Sequence, residues 1–501
     1  MNTDEVISFA KRRGFFWQTA EIYGGLSGIY DYGHIGTLLK RNFENIWLSF
    51  FVNINENYYL IDCSNILPER SLISSGHTAH FNDMIVSCSK CHAHFRADQL
   101  ISDKKIEVSE GADSSTIDEI IKKYKIVCTV CKSPLSMAKP FNLMFDLYLG
   151  PEKSDKAYLR PETAQDVYLN FAREFNILRK KLPAGLAIIG KAYRNEISPR
   201  QGLYRLRELI QAELQIFFNP DSWDVDYKNV ADRPLTILFY NSDETECIPV
   251  KNLIEEHAIP SFYAYHLAII DIFYKEVLKI PDDKFRFHEK GGDEKAFYNR
   301  IHMDIEVDIE SLGGFREVGG VHYRGDYDLT SHAKGSMQDL SVSVGDKKII
   351  PHVLELSFGV DRTLWMLLDL FYKKEEERTI LKIPGYLSPY NAAILPLQND
   401  LNGESEKIFR RLNPLFRVFY DTGGSIGRRY ARMDEIGTPF CITVDYETVD
   451  KQSSNYNTVT VRYRDDKKQI RIPTTDIADF IRKNIVFNPS IFMPYTLPSD
   501  E

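Results

Sequence analysis

Two short pairs of cysteines, far apart in the chain, constrain the fold of this sequence more than any other feature. Cys88 and Cys91 form one CxxC pair, and Cys128 and Cys131 form the second. Four thiolates held in two such pairs are typical of a structural zinc site, in which they surround the ion tetrahedrally and leave no position open for a substrate. The pattern therefore predicts that the pairs meet around Zn²⁺, with a loop or helix inserted between them near residues 116–125.

Other interpretations of these cysteines stay open from the sequence alone. The pairs could be separate redox sites or unrelated thiols, and His92 and His94 are spare candidate ligands next to the first pair. A disulfide scaffold is not indicated, because seven cysteines in 501 residues are too few and the number is odd.

The overall composition is that of a globular protein with more than one folded unit. Hydrophobic residues make up 43% of the chain and charged residues 27%, and 501 residues are too many for one ordinary core. The N-terminal segment lacks the apolar stretch of a secretory signal, and no apolar run approaches the roughly 20 residues that span a bilayer. We therefore expect a cytoplasmic protein with no membrane partner.

The chain is acidic as a whole but carries a local cluster of arginines. Its formal net charge of −9 argues against a protein that coats nucleic acid indiscriminately. A nucleic-acid partner is still possible, because local charge determines where a phosphate backbone docks. A basic patch is predicted in the C-terminal part, formed by Arg410, Arg411, Arg417, Arg428, Arg429 and Arg432.

Changes in sequence pattern divide the chain into segments. The cysteine pairs lie in an insertion over 76–140, and residues 221–300 contain a helical, aromatic stretch whose periodicity indicates buried core. Strand-like segments follow, and the last of them leads into a helix; they cover 302–310, 316–323, 347–359 and 360–372. After a linker at 382–391, strands and helices alternate, which predicts a small α/β domain with a partly parallel sheet.

Nucleotide binding through a glycine-rich loop is not indicated. The chain has no GxxxxGK[ST] or GxGxxG pattern. The segment HIGT at 34–37 is close to the HIGH signature of first-class synthetases, but it lacks the lysine-rich partner segment downstream, and we interpret it as a coincidence. Side chains must then hold any nucleotide.

A block dense in arginine and glutamate, RNEISPRQGLYRLRE at 194–208, surrounds a Pro-Gly turn. The pattern predicts two strands joined by a loop, which would bring Arg194 and Arg205 to one face. Guanidinium groups stay charged and bind phosphate bidentately, and Glu196 could order a guanidinium or accept from an adenine amino group. Taken alone, the block is better explained as a solvated, salt-bridged hairpin.

Two further arginine-bearing segments accompany this block. Arg160 opens RPETAQ at 160–165, and Arg362 follows Gly359 and Asp361 at the start of the later predicted helix, where the helix dipole also favours anions. Three such segments in order are a rarer combination than any one of them. They favour convergence on one phosphate-bearing ligand.

With EIYGGLSGIYDYG at 21–33 and GSIGRRYARMDEIGTPFCITVD at 424–445, these segments resemble the signatures of glycyl-tRNA synthetases, in that family's order. The similarity is to the homodimeric, archaeal-like type of this class II aminoacyl-tRNA synthetase family, over nearly the whole chain. The resemblance implies an α+β catalytic domain with an antiparallel sheet, a zinc-bearing insertion and a C-terminal α/β anticodon-binding domain. The implied boundaries are 1–75 and 141–383 for the catalytic domain, with 221–300 as a helical insertion, 76–140 for the zinc-bearing insertion and 391–490 for the anticodon-binding domain.

The activity implied by the resemblance is the ligation of glycine to tRNA(Gly) for translation, through glycyl-adenylate, by a homodimer. Arg194 would contact the α-phosphate of ATP, Arg362 the γ-phosphate, and Glu196 the adenine, while Glu317 would hold ATP through Mg²⁺. Arg194, Arg362 and Glu317 are the implied catalytic residues. The implied ATP-binding residues are Arg194, Asn195, Glu196, Tyr204, Arg205, Leu206, Arg207, Glu208, Leu209, Glu317, Val318, Gly359, Val360, Asp361 and Arg362.

The resemblance also implies a glycine site built on carboxylates. Because glycine has no side chain, its ammonium group must supply the binding energy through charge-assisted hydrogen bonds. The implied residues are Arg96, Glu162, Gln211, Glu213, Arg324, Glu355, Ser357 and Gly359. Among them, Arg324 would be matched to the substrate carboxylate. For the tRNA anticodon they are Arg428, Arg429 and Arg432.

Two other functions stay open. A non-catalytic, synthetase-like protein would only bind nucleic acid, as a polymerase accessory subunit does, but such a protein is expected to lose the phosphate-binding arginines. A synthetase of the same class for serine, threonine or proline would keep them. The glutamate-rich pocket and the RPETAQ segment favour glycine over these amino acids.

Overall fold

The computed structural model describes residues 2–53, 55–104, 106, 108, 112–179, 181–199, 201–292 and 299–488. The last two residues of the expected anticodon-binding domain, and a few within the two expected insertions, lie outside these ranges. None of the helices in the described ranges combines the length and apolar character that crossing a bilayer would require.

The largest sheet in the described ranges has nine strands, numbered here in chain order. In spatial order they are β13 (Thr245–Pro249), β12 (Pro234–Leu238), β14 (Phe285–Glu289), β15 (Ile301–Ile309), β16 (Gly314–Gly325), β19 (His352–Gly359), β11 (Glu208–Phe218), β10 (Ala184–Tyr193) and β3 (Tyr58–Leu60). Neighbouring strands are antiparallel except at β12/β14 and β10/β3. The expected antiparallel sheet is confirmed.

Helices cover the two faces of this sheet unequally. On one face, alternating strand residues such as Leu356 and Phe358 pack into an aromatic core. There the centroid of the Phe51 ring lies 4.8 Å from those of both Phe273 and Phe358. The other face holds a smaller core around Phe171 and Phe217, whose rings stack at 3.8 Å, and it leaves a polar cleft beside this core. The helices of this unit are α1 (Thr3–Arg13), α2 (His34–Trp47), α3 (Glu69–Ser74), α4 (His77–His80), α7 (Ala164–Leu178), α8 (Val250–His257), α9 (Ser261–Ile272), α10 (Tyr327–Ser336) and α11 (Val360–Phe371).

The segment 221–300 is not simply a helical insertion. Its aromatic stretch forms α9 and the π-helical turn Phe273–Val277, and it is buried as expected. The strands β12, β13 and β14, however, come from the same segment and extend the main sheet. Strand β12 has only five residues, so its apolar pattern is a weaker signal in the sequence than that of the longer apolar helix α9.

The cysteine-containing segment forms a small unit of its own. Three antiparallel strands, β5 (Asn82–Ser87), β6 (His94–Arg96) and β7 (Lys139–Asn142), carry the helices α5 (Ala97–Ser102) and α6 (Ser114–Lys123). Helix α6 lies between the two cysteine pairs, where the inserted loop or helix was expected. It begins after Asp113, whose side chain accepts a hydrogen bond from the Thr116 amide.

The C-terminal unit is the expected α/β domain with a partly parallel sheet. Its strands lie in the order β23 (Val418–Tyr420), β22 (Ala392–Pro396), β24 (Phe440–Val444), β25 (Thr458–Tyr463) and β26 (Gln469–Pro473), and β22 is parallel to both of its neighbours. The helices are α12 (Asn402–Leu412), α13 (Ile426–Glu435), α14 (Tyr446–Val449) and α15 (Ile477–Ile485). Short strands elsewhere are β1 (Phe16–Gln18), β2 (Tyr30–Tyr32), β4 (Ile66–Pro68), β8 (Asp146–Leu149), β9 (Asp155–Leu159), β17 (Val342–Val344), β18 (Lys347–Ile349), β20 (Tyr372–Lys374) and β21 (Thr379–Leu381).

The predicted linker at 382–391 packs tightly between the two units. The side-chain amide of Asn42 donates to the carbonyls of Leu387 and Ser388 at 3.0 and 2.8 Å, and the Ser388 hydroxyl donates to the Gly437 carbonyl at 2.6 Å. These buried hydrogen bonds make the segment part of the interface.

A buried carboxylate also joins the units. Asp434 on α13 accepts two hydrogen bonds from Arg462, both at 2.9 Å, and one from Arg378 of the β20–β21 hairpin at 2.7 Å. Asp434 is 1% exposed. We expect Asp434→Asn to lower the free energy of unfolding by about 3–5 kcal/mol, because the buried guanidinium of Arg462 would lose its counter-charge and Arg378 would keep only Glu375. Urea unfolding checks this, with the exposed Asp400→Asn as control; an equal, small change in both variants would contradict it.

Candidate active site

A cleft of about 230 Å³ opens on the polar face of the main sheet. It lies where β11, β16 and β19 meet the loop after β10 and the start of α11. The sequence-predicted residues that line it are Glu162, Arg194, Glu196, Tyr204, Arg205, Leu206, Leu209, Gln211, Glu213, Glu317, Val318, Arg324, Glu355, Ser357, Gly359, Asp361 and Arg362. Two of the three predicted arginine segments therefore meet at one cavity, with Arg194 and Arg205 from the first and Arg362 from the second. The arginine of the third segment, Arg160, does not line it, because it is buried and pairs with Asp166 at 3.1 Å.

The pairing register of the strands sets the floor of the cleft. Glu213 on β11 pairs with Ser357 on β19, which pairs with Gly320 on β16. One step along, Glu355 on β19 pairs with His322 on β16. Residues directly opposite one another in antiparallel strands point to the same face, so this row of side chains lies in the cleft.

A β-bulge brings Glu317 to the same face. The register between β15 and β16 shifts at this point: Ile305 pairs with Gly319, but Glu306 pairs with Glu317. Val318 is the extra residue, and it changes the side to which the preceding residues point. Simple alternation along β16 would have placed Glu317 and Gly320 on opposite faces.

The carboxylates Glu162, Glu213 and Glu355, which the resemblance implies for glycine binding, are buried and lie together in the cleft. Glu213 accepts hydrogen bonds from the Thr163 hydroxyl at 2.7 Å and the Ser357 hydroxyl at 3.0 Å. Glu162 accepts from the Gln165 amide at 2.9 Å. The hydroxyls and the amide orient the carboxylates without neutralising them, so the cluster is suited to a cation.

The electrostatics of the carboxylates differ from one to the next. Burial, reinforced by the charge of Glu355, raises the pKa of Glu213 to about 8. Burial also acts to raise the pKa of Glu162, but His77 and Arg324 outweigh it and hold that pKa well below its ordinary value. Glu213 is therefore the group whose ionisation a bound ammonium would most favour.

Arg324 is enclosed by carboxylates of the protein itself. Its Nε and Nη2 donate to Asp328 at 2.8 and 3.1 Å, and its Nη1 donates to Glu355 at 2.7 Å. The guanidinium also lies over the Tyr168 ring, 5.3 Å from its centroid. Its expected role toward a substrate carboxylate would have to compete with Glu355.

At the other end of the cleft, the arginines differ in their partners. Arg205 donates to Glu196 at 2.7 Å, and Arg362 approaches Glu317 to 2.9 Å and lies over the Tyr204 ring at 4.8 Å. Arg194 donates to the Pro161 carbonyl at 3.0 Å and forms no ion pair with any residue that the structure describes. Its charge is the one most available to an anion.

Asp361 connects this end to the N-terminal strands. It accepts hydrogen bonds from the Tyr32 hydroxyl and, at 2.6 Å, from the Ile210 amide. Burial raises the pKa of Asp361 to about 6, although both hydrogen bonds act to lower it. Asp361 thus anchors the start of α11, from which Arg362 extends into the cleft.

Five predicted site residues do not line the cleft. Asn195 donates its amide to the Leu143 carbonyl, Arg207 donates to the carbonyls of Glu196 and Ser27, and Glu208 pairs with Lys191. Val360 is the first residue of α11 and is buried. Arg96 lies in the neighbouring cavity of the cysteine-containing unit, where it pairs with Asp83 and Asp98. Their positions fit support of the site better than contact with a ligand.

Several cleft residues were not predicted from the sequence. Leu203, Ile210, Gly319 and His322 line the cleft, and Thr163 holds Glu213 from below. The Thr163 position follows the RPE segment directly, so that motif could have indicated it. Nothing in the sequence marks His322, since it has no charged or metal-binding partner at a recognisable spacing.

The four cysteines of the two CxxC pairs meet as expected. Their sulfurs all lie within 4.8 Å of one another, with Cys88 and Cys131 at 3.3 Å and Cys91 and Cys128 at 3.6 Å. Thiolates around one zinc ion, each about 2.3 Å from it, would be about 3.8 Å apart, whereas a disulfide needs about 2.05 Å. The amides of Lys90 and Cys91 also point at Cys88 Sγ, each at 3.4 Å. The donor set fits a tetrahedral metal ion.

Most arginines of the predicted basic patch contact other groups of the protein itself. Arg429 is 2% exposed and donates to the carbonyls of Pro396 and Gly424, so its expected contact with the anticodon does not fit its position. Arg432 is paired with Asp421 at 2.6 Å. Arg428 is exposed and has no ion pair among the described residues, which leaves it available to a phosphate.

The fold and the cleft define a class II aminoacyl-tRNA synthetase. Residues 145–371 match the family model described as "tRNA synthetase class II core domain (G, H, P, S and T)", and residues 391–484 match the one described as "Anticodon binding domain". The chain is 37% identical to a glycine–tRNA ligase of Pyrococcus abyssi, over 95% of this chain and 97% of that protein. It is 34% identical to the glycine–tRNA ligase of Aeropyrum pernix, over 96% of each chain. It is also 34% identical to the glycine–tRNA ligase of Methanococcus vannielii, over 96% of this chain and 99% of that protein. The chain belongs to the glycine–tRNA ligase family.

Proposed function

We propose that this protein activates glycine with ATP and transfers it to the 3′ end of tRNA(Gly). The single observation that carries the proposal is the arrangement of one cleft with two ends of opposite charge. Buried carboxylates around Glu213 form one end, and the guanidinium groups of Arg194, Arg205 and Arg362 form the other. A small ammonium compound and a polyphosphate fit side by side in such a cleft.

ATP is proposed to lie along the arginine end. Arg194 is the proposed contact of the α-phosphate, because no carboxylate among the described residues neutralises it. Arg362 is the proposed contact of the γ-phosphate, and the Glu196–Arg205 pair would border the adenine. Mg²⁺ supplies further neutralisation of the phosphates when bound, and Glu317, an oxygen donor on the cleft rim, is the residue that would hold it.

Glycine is proposed to bind at the carboxylate end. Its ammonium would donate to Glu162, Glu213 and the nearby Glu355, and Ser357 would orient Glu213. A zwitterion bound this way presents its carboxylate toward Arg194. Binding of this kind would bring the reacting groups of the two substrates next to each other.

The proposed reaction has two steps. A glycine carboxylate oxygen forms a bond to the α-phosphorus, and the bond from this phosphorus to the bridging oxygen breaks, so that pyrophosphate leaves. The terminal ribose hydroxyl of tRNA then attacks the carbonyl of glycyl-adenylate, and AMP leaves. The cleft contributes positioning and charge stabilisation to both steps.

The remaining assignments are also proposals. Zn²⁺ would be held by the four cysteines in a structural role, and Arg428 would contact the tRNA anticodon. The homodimer implied by the family resemblance and the expected cytoplasmic location are likewise proposals. A non-catalytic role is disfavoured, because the three phosphate-binding arginines are present and line one cleft.

We expect glycine-dependent ATP–pyrophosphate exchange, and a loss of about 10²-fold or more in Arg194→Ala, because that residue would stabilise charge that develops in the transition state. Exchange assays against all twenty amino acids measure this. Arg482→Ala, an exposed arginine far from the cleft, is the matched control. Exchange with no amino acid would exclude the proposed function, and exchange with serine, threonine or proline alone would change its substrate.

The raised pKa of Glu213 predicts pH-dependent binding of glycine. With a pKa of about 8, Glu213 is mostly protonated at pH 7 in the empty site, whereas a bound ammonium favours its ionised form. The KM for glycine should therefore fall as pH rises from 7 toward 9. Glu213→Gln should raise this KM and remove the pH dependence, with the exposed Glu256→Gln as control. A wild-type KM that is flat over this range would contradict the assignment.

The cysteine cluster predicts about one zinc ion per chain in protein prepared without added metal. Cys88→Ser should lose the ion and lower the melting temperature, because four thiolates would no longer enclose it. Elemental analysis and thermal unfolding measure both effects. Cys247→Ser, at an exposed cysteine outside the cluster, should change neither. Folded, active protein without metal would overturn the structural-zinc assignment.

A further inference from the structure

His322 is a cleft residue that the proposed reaction leaves without a role. On β16 its register partner across the sheet is Glu355 of the carboxylate cluster. Two residues before it, Gly320 pairs with Ser357, whose hydroxyl donates to Glu213. The imidazole therefore borders directly on the proposed glycine site.

The imidazole fills the space above Gly320. A methyl group placed on this glycine would lie 2.6 Å from Nε2 and 3.0 Å from Cε1 of His322. These distances are shorter than van der Waals contact between heavy atoms, about 3.5–4.0 Å. The ring thus occupies the volume that a side chain at this point of the floor would need.

Neighbouring groups hold the ring in place. The side-chain amide nitrogen of Asn299 lies 3.2 Å from His322 Nδ1, and the ring of His302 lies against it with 4.3 Å between centroids. His302 is in turn 3.0 Å from Asp304, and Asp304 pairs with Lys290 at 3.1 Å. A ring supported in this way cannot retreat easily from a substrate.

The ring is also uncharged under ordinary conditions. Burial, together with His302 and Arg324, lowers the pKa of His322 well below its usual value. A neutral ring does not repel the substrate ammonium that the neighbouring carboxylates attract. Its contribution to the site is therefore shape.

We propose that His322 sets the upper size limit of the amino-acid site and is a specificity-determining residue for glycine. This inference rests on the proposed function and extends it. Alanine and serine would bring a Cβ into the volume that the imidazole occupies. Two substrates that differ by one methyl-sized group typically differ about 10–200-fold in kcat/KM. A rigid imidazole ring at this position is therefore sufficient to discriminate against the larger substrate.

The test compares kcat/KM for glycine and for alanine in pyrophosphate exchange. In His322→Ala the glycine-to-alanine ratio should fall at least tenfold, mainly through a gain with alanine. His322→Leu restores bulk without a hydrogen bond and should keep most of the ratio. His257→Ala, at an exposed histidine of α8, should leave the ratio unchanged.

The outcomes separate this proposal from the proposed function. An unchanged ratio in active His322→Ala, or an equal loss of discrimination in His322→Leu, would overturn the role of His322 alone. Absence of glycine-dependent exchange in the unmodified protein would overturn the proposed function and this inference with it. If His322→Ala does not fold, His302→Ala, which removes only the support behind the ring, should lower the ratio to a smaller extent, and no change there would overturn the proposal.

Discussion

The antiparallel pairing of β19 with β11 on one side and β16 on the other is the constraint on which the rest of this structure depends. It determines that Glu355 and Ser357 face the cleft while Leu354, Leu356 and Phe358 enter the core. A slip of one residue would exchange the two sets, exposing the apolar side chains and burying the acids. The hydrophobic face thus specifies the geometry of the polar face, because burial of each large apolar side chain contributes about 1.5–3 kcal/mol.

The two ends of the cleft on this sheet carry opposite charge. The carboxylate end holds more acidic than basic side chains. Arg324 pairs with Glu162, Glu355 and Asp328, and Glu213 forms no ion pair with a described residue. Protonation relieves part of this excess, as the raised pKa of Glu213 shows. An ammonium ligand would neutralise the remaining excess. Because burying these acids without a counter-charge is unfavourable, the site favours a bound cation.

The arginine end is held in place by pairs that a stronger anion can replace. Glu196 and Glu317 keep Arg205 and Arg362 oriented. Arg194 is instead fixed by a carbonyl and by the Phe81 ring, at 5.4 Å from its centroid. Because no carboxylate among the described residues orients Arg194, none of them neutralises its charge. This charge is available to the α-phosphate, where negative charge develops in the proposed mechanism.

Sequence patterns predicted those parts of the molecule in which local periodicity and tertiary environment agree. The strands β15, β16 and β19, the helix α11, the alternating C-terminal domain and the meeting of the cysteine pairs belong to this group. The bulge at Val318 was not predictable, because an extra residue leaves the composition of a strand unchanged. The burial of Arg429 was not predictable either, since its carbonyl partners are fixed by the tertiary fold. His322 became visible only when register placed it beside Glu355.

Side chains connect the cysteine-containing unit to the arginine end of the cleft. Gln99 of α5 accepts a hydrogen bond from Arg205 at 3.3 Å, and Asp83 of β5 lies between Arg96, at 3.2 Å, and Arg205, at 3.9 Å. Arg205 is also the partner of Glu196, which borders the proposed adenine position. A metal ion that orders this small unit would therefore help to position Arg205, although the cysteines themselves do not line the cleft. The cysteine cluster and the proposed ATP-binding end of the cleft therefore share structural support, because both depend on the positions of β5 and α5.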